Sequence, residues 1–329
     1  VIRLMLFLCA LMLVVRADPI GNVGASVPPA TAKKLIALSF DDVPRGAGAF
    51  MTTDERGAKL IAALKAAQVE QVAFFLNPAR VNIGDGDEKR IQAYAAAGHV
   101  LANHTFSHPH LSQTSAEAYL ADIDLATAWL KDRPGYRPWF RFPFLDEGGT
   151  DKVKRDAIRA GLRARGLQNG YVTIDGSDWN MEALAIDAKR QGRAMDMAAL
   201  RDLYVETMVQ SADFGDALAI RAIGRSPVHM LLLHETDLAA LFIEDLVKAL
   251  RADGWEIVSA DAAYADPMHT ALPDVPSSNG TLLEAIAWEK GLPAPRWYDR
   301  NDVRIADALF RDRVLHAAGA HPAVANPGQ

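Results

Sequence analysis

Short apolar runs alternate along this chain with longer amphipathic stretches, and that alternation restricts the fold more than any other feature. The runs at residues 35–40, 71–77, 99–103, 139–143, 171–174, 228–233 and 256–259 are strand-length and apolar. Between them, residues 55–67, 88–97, 116–131, 152–165, 197–223 and 238–253 carry helical patterns. Strand–helix alternation predicts parallel strands joined by helical crossovers, since a parallel pair cannot be closed by a tight turn. Seven strands in one continuous stretch suit an α/β architecture, a (β/α) barrel of about seven parallel strands, complete or incomplete, better than a doubly wound sheet, although periodicity alone does not separate the two. Residues 181–225 are long for one crossover and predict an extra helix or a loop over the site.

The texture changes at residue 267, where Pro273, Pro276, Pro293 and Pro295 punctuate the chain. Helical patterns recur at 281–290 and 303–317, so residues 267–329 are expected to form a C-terminal helical appendage on a barrel spanning 35–266. At the other end, Arg3 precedes an apolar run from Leu4 to Val15, and Val15-Arg16-Ala17 offers small or apolar residues around a cut. This predicts a signal peptide over 1–17, followed by a Gly-, Pro- and Ala-rich leader over 18–34. The apolar run is short of the ~20 residues of a membrane span. A periplasmic or extracellular location is expected, with no stable membrane insertion after cleavage; a retained N-terminal anchor is the alternative.

Composition narrows the chemistry. The one cysteine, Cys9, lies in the expected signal segment, which excludes a disulfide framework and a cysteine-held zinc cluster. Any metal must therefore sit on His, Asp or Glu. With 35 basic against 41 acidic residues the net charge is −6, and no Lys/Arg block suggests a nucleic-acid partner.

Polar residues then fall in a telling place. Asp41 and Asp42 follow the first run, His104 and His108 the third, Arg141 lies in the fourth, Asp175 and Asp178 follow the fifth, and His234 ends the sixth. In a parallel α/β barrel the C-terminal strand ends share one face, where active sites are built. His104-Thr105-Phe106-Ser107-His108 would put two imidazoles on one side of a helical turn, and Asp42 could add a carboxylate. Two nitrogens and one carboxylate leave room for water, as in a catalytic metal site. Arg141 beside Asp41 would hold that carboxylate ionised. His234 with a carboxylate partner could protonate a leaving amine or alcohol. Trp179 could wall the pocket. Each feature alone also has a plain reading as a surface histidine pair, a solvated turn, a structural ion pair or a core side chain.

Taken together, five ordered motifs resemble those of the polysaccharide deacetylases, the NodB-homology domain of carbohydrate esterase family 4. They are Ser39-Phe40-Asp41-Asp42, His104-Thr105-Phe106-Ser107-His108, Arg141-Phe142-Pro143-Phe144, Asp175-Gly176-Ser177-Asp178-Trp179 and Leu231-Leu232-Leu233-His234. The resemblance covers about residues 35–266. It implies a distorted (β/α) barrel and a divalent metal, commonly zinc with cobalt or nickel as alternatives, held by Asp42, His104 and His108. It implies hydrolysis of an N-acetyl or O-acetyl group on a glycan or oligosaccharide by metal-bound water. Asp41 would be the base, His234 the acid, Arg141 the partner of Asp41, and Asp178 rather than Asp175 the partner of His234. Phe144 and Trp179 are expected to touch substrate.

The sequence departs from the family pattern in two places. Val43-Pro44 stands where Gly-Pro is usual, which would alter the acetyl pocket or the sugar entry, and Glu235 stands where Asp is common. Other functions remain open on the residues alone. These are a small-amide amidohydrolase of the same barrel class, an iron oxygenase using the same two-His-one-carboxylate set, and a non-catalytic glycan-binding module.

Overall fold

The computed structural model of the chain describes residues 33–82 and 86–317. The expected signal segment and nearly all of the expected leader lie outside them. The strands are β1 (Lys34–Val43), β2 (Ala73–Leu76), β3 (Val100–Asn103), β4 (Tyr136–Phe140), β5 (Asp146–Gly149), β6 (Gln168–Asn169), β7 (Ile174–Asp175), β8 (Val228–His234), β9 (Trp255–Ile257) and β10 (Ser278–Asn279). The helices are α1 (Thr53–Ala66), α2 (Asp87–Ala96), α3 (Ala116–Leu130), α4 (Lys152–Ala164), α5 (Asp178–Arg190), α6 (Met197–Ile223), α7 (Asp237–Ala252), α8 (Ala260–Tyr264), α9 (Leu282–Glu289) and α10 (Val303–Arg313).

All pairings in the main sheet are parallel, in the order β6-β4-β3-β2-β1-β8-β7, with β9 added beside the start of β1. That is chain order around a cylinder, opened at the seam between β6 and β7. The expected distorted (β/α) barrel is the fold, with eight strands if the short β9 is counted. The expected fifth strand is displaced: only Ile174–Asp175 pairs, and the two-residue β6 precedes it. A short antiparallel pair, β5 with β10, was not foreseen; two- and four-residue strands carry too few side chains to show a period.

Helix starts follow capping chemistry visible in the sequence. Thr52 and Glu55 form a capping box on α1, and Ser115, Asp151, Thr236, Thr281 and Asp302 each accept from a first-turn N–H. The long insertion resolves into α5 and the 27-residue α6. The C-terminal residues pack on the rest: Leu282, Leu283 and Ile286 lie against Leu218 and Ala219 of α6, and Phe310 and Val314 join the main core. No described helix is long and apolar enough to cross a membrane.

The pleat of the strands decides which residues reach the site. Along β1, Ile36, Leu38 and Phe40 pack outward under the helices, while Ala37 faces inward with Phe75, Val100, Ala102, Trp139, Met230 and Leu232. Side chains alternate between faces. Counting on by twos, the inward set continues into Asp41 from Ala37, His104 from Ala102, Arg141 from Trp139 and His234 from Leu232.

Candidate active site

The inward-facing positions open into a cavity of about 440 Å³ at the C-terminal strand ends, lined by Asp41, Asp42, His104, His108, Asp175 and His234. Arg45, Phe144, Leu145, Trp179 and Leu232 complete its wall. Asp41 and His234 are directly paired in the β1–β8 register, so a carboxylate and an imidazole stand side by side on neighbouring strands.

Adjacent residues of a regular strand cannot both face the cavity. Asp42 does so because β1 is irregular between Phe40 and Val43, and Asp42 has φ 66°. A positive φ is uncommon outside glycine, and Asp tolerates it better than most residues. Val43 turns the other way into the main core and is fully buried. The expectation that its side chain would reshape the acetyl pocket is therefore corrected: Val43 does not line the cavity.

The His104–His108 segment is not a helical turn, contrary to expectation. It is a loop in which Thr105 and His108 have φ 67° and 63°. Side chains tie it down: Asp122 of α3 accepts from the Phe106 and Ser107 amides at 2.7 and 2.9 Å, and Asn103 Oδ1 accepts from the Thr105 amide at 2.8 Å. The loop still brings the imidazoles together, with ring centroids 5.0 Å apart.

Ligand atoms of Asp42, His104 and His108 all lie within 4.8 Å of one another. His108 Nε2 is 2.7 Å from Asp42 Oδ1, and His104 Nε2 is 3.7 Å from the same oxygen. His104 Nδ1 lies 2.9 Å from the Arg141 carbonyl, which fixes it as the protonated nitrogen and turns the Nε2 lone pair toward Asp42. Burial holds His104 well below the usual imidazole range, so it stays neutral and able to ligate. Burial opposes ionisation of Asp42, but the surrounding imidazoles, His108 foremost, outweigh it and hold the carboxyl far below its ordinary value. Two imidazole nitrogens and one carboxylate, with no thiolate, fit a divalent ion with open positions.

Asp41 is buried, and burial raises its pKa despite the opposing charge of Arg141. Arg141 Nη1 bonds Asp41 Oδ1 directly and reaches Ser39 Oγ at 2.9 Å. Its other donors go to the Gly170 carbonyl at 2.8 Å and the Tyr264 hydroxyl at 2.7 Å, and its plane lies 3.8 Å from the Phe75 ring centroid. Tyr264 carried no sequence signal; it sits on the short α8, over a hundred residues from Arg141.

Asp178 is fully buried and holds His234 twice, Oδ1 to Nδ1 at 2.7 Å and Oδ2 to the backbone N–H at 2.9 Å. Burial opposes protonation of His234, but Asp178 outweighs it and the imidazole pKa is raised. Asp175 lines the same cavity and is pushed up to about 6 by burial, yet its side chain accepts from the Ser177 amide rather than from His234. Trp179 is 41% and Phe144 54% exposed, both on the cavity wall.

Glu235 lies fully buried under the site, accepting from the Tyr94 hydroxyl at 2.6 Å and the Arg45 amide at 2.8 Å, with Arg90 Nε ion-paired to it at 2.7 Å. Asp237 likewise takes the Phe50 and Met51 amides, pinning the apolar loop after β1. Gly48 is required there, since a Cβ would stand 2.4 Å from both Asp237 Oδ2 and Glu182 Oε1. Sequence reading singled out neither Asp237 nor Glu182.

Against known proteins, the polysaccharide deacetylase family profile matches residues 29–165. A peptidoglycan-N-acetylglucosamine deacetylase of Bacillus cereus is 32% identical over 125 residues, 37% of this chain. The match spans 40% of that relative's length. The chitin deacetylase of the fungal pathogen Colletotrichum lindemuthianum shares the fold, with a TM-score of 0.50 at 18% identity over 71% of this chain and 88% of that one. Residues 29–165 thus carry a polysaccharide deacetylase domain, the NodB-homology domain of carbohydrate esterase family 4.

Proposed function

We propose that this chain is a secreted, metal-dependent deacetylase that hydrolyses an N-acetyl, or O-acetyl, group on a glycan. The observation that carries the reading is the paired register of Asp41 and His234 on one rim, with Asp42, His104 and His108 beside them. A bound divalent ion, zinc first and cobalt or nickel next, would polarise the acetyl carbonyl and make water nucleophilic near neutral pH.

The chain's own groups supply the proton traffic. Asp41 takes a proton from the attacking water, and its raised pKa makes it a better base than an exposed carboxylate. Arg141 fixes the Asp41 carboxylate and keeps its charge from being stranded in the interior. His234 gives its proton to the departing amine or alcohol, and acetate leaves. An ionised carboxylate only accepts, so Asp178 places the Nδ1 proton on itself and leaves Nε2 to face the cavity. Phe144 and Trp179 offer apolar faces to sugar rings.

The Bacillus cereus relative is named for peptidoglycan N-acetylglucosamine and the fungal structure for chitin, so N-acetylglucosamine polymers head the substrate panel. The apolar segment near residue 1 supports export to the periplasm or beyond. The test is mass spectrometry of products from acetylated glycans and small amides, with zinc, cobalt or nickel added. Acetate release from a glycan, lost in Asp41→Asn, is expected. Turnover of small amides alone would move the activity to the amidohydrolases.

A further inference from the structure

Two guanidiniums stand at the mouth of the cavity, and the reaction just described uses neither. Arg45 Nη1 lies 2.7 Å from Asp42 Oδ2, while Arg80 Nη1 lies 3.5 Å from Asp42 Oδ1 and 3.4 Å from the Asp42 carbonyl. Their side chains are 27% and 36% exposed. Among the described residues, their remaining N–H groups have no protein acceptor. Arg45 lines the catalytic cavity and also a second, open groove of about 630 Å³, which Arg80 lines as well. The arginines thus mark the point where the two spaces meet.

The charges around this point do not cancel. One carboxylate, Asp42, faces two guanidiniums, so positive charge is left over at this point even before a cation is bound. Asp87, which also lines the groove, is held by Arg90 at 2.9 Å. Glu235 meets Arg45 only through its backbone amide and is committed to Arg90 and Tyr94. The chain as a whole carries net −6, so an anion would be repelled over most of the surface and attracted here. A guanidinium fork matches a carboxylate in two-bond geometry.

We infer that Arg45 and Arg80 form a subsite for a carboxylate on the glycan, so that the substrate is an acidic polysaccharide with a uronate-type ring next to the acetylated sugar. This rests on the deacetylase reading. It adds what neither the catalytic groups nor the apolar wall specify: the charge of the neighbouring sugar. The reacting acetyl lies at Asp41 and His234, and the adjoining ring extends past Arg45 into the groove.

The test uses two tetrasaccharides that share the acetylated sugar, one of N-acetylglucosamine alone and one alternating N-acetylglucosamine with glucuronate. Binding is measured calorimetrically on zinc-loaded Asp41→Asn protein, and deacetylation by mass spectrometry on the unsubstituted enzyme. The acidic tetrasaccharide is expected to bind about tenfold tighter at low salt, with the gap closing as salt is raised. Arg80→Gln should remove most of that gap and leave the neutral ligand unaffected. Arg45→Gln should act in the same way, and both variants are compared at matched zinc content because both arginines touch Asp42. Equal affinity for the two ligands, or Arg80→Gln weakening both alike, would overturn the subsite. Release of acetate from neither ligand would instead overturn the deacetylase reading, whatever the binding data show.

Discussion

His234 and Asp178 are joined twice, ring to carboxylate at 2.7 Å and backbone amide to carboxylate at 2.9 Å. The second bond means that the carboxylate holds the strand end as well as the imidazole. His234 consequently has little freedom to turn away, and its proton-bearing nitrogen is fixed.

This pairing sets a pH dependence. The raised pKa of His234 keeps its acid form populated to higher pH, so activity should fall on the alkaline side as His234 loses its proton. Asp178→Asn removes the charge that raises the pKa. The alkaline limb should move to lower pH, with kcat reduced by about 10²-fold or more. An unchanged limb in the pH–rate profile would dissociate Asp178 from the acid.

Asp41 and Arg141 form a buried pair, so removing one member strands the other. Arg141→Met should destabilise the fold by about 3–5 kcal/mol in denaturant titration. Adding Asp41→Asn to Arg141→Met should recover part of that loss, because no charge is then left uncompensated. Additive losses in this double-mutant cycle would show that the two side chains do not interact.

Removal of the proposed metal should abolish turnover without unfolding the chain, because the barrel core is built from apolar side chains distant from the ion. Chelation followed by zinc readdition should restore acetate release. His104→Ala and His108→Ala should each fail to retain zinc in equilibrium dialysis. Zinc retention by both variants would place the metal elsewhere.

The C-terminal residues brace the loop that carries Asp178. Ser177 donates from Oγ to Asn301 Oδ1 at 3.2 Å, and Asn180 Nδ2 donates to Asp307 Oδ1 at 3.0 Å. Asp178 lies between these two anchors. Losing both bonds, about 1 kcal/mol each, should loosen Asp178 more than it lowers stability. The Asn301→Ala/Asp307→Ala variant should show a several-fold drop in kcat and a downward shift of the alkaline limb, as in a milder Asp178→Asn. A change in Tm with no change in the pH profile would make the brace purely structural.

Two buried histidines away from the site predict acid sensitivity of the fold. Burial lowers both His99 and His269 to about 4. Between their ordinary value of 6.5 and about 4 the unfolded chain binds more protons than the folded one, so stability falls as pH drops through that window and levels off below it. The loss is of order 3 kcal/mol for each group. Denaturant midpoints measured at pH 7 and 4.5 should show it, and His99→Asn should flatten the profile if the variant folds.

Much of the site was readable because a barrel strand is a local ruler. The runs at residues 35–40, 99–103 and 228–233 are followed at once by Asp41, His104 and His234, which places these residues at strand ends without any knowledge of pairing. Helix starts are local too, since Thr52, Ser115 and Thr236 cap the turn that immediately follows them. The spacing of His104 and His108 was also correct as a pairing, but the helical turn was not. Two positive φ values build that loop, and Asp122, Asn103 and Asn77 hold it from outside.

The sequence by itself therefore determined the alternation, the barrel class and the chemical identity of the rim. Tertiary structure decided the rest: that Asp178 holds the strand end as well as the His234 ring, that Val43 faces the core rather than the cavity, that Tyr264 steadies Arg141, and that Arg45 and Arg80 converge on Asp42. The physical reason is range. Periodicity and capping are fixed by neighbours within a few residues. The direction of a side chain at a bulge, and the partner of a buried charge, are fixed by groups tens to hundreds of residues away whose approach only the closed barrel creates.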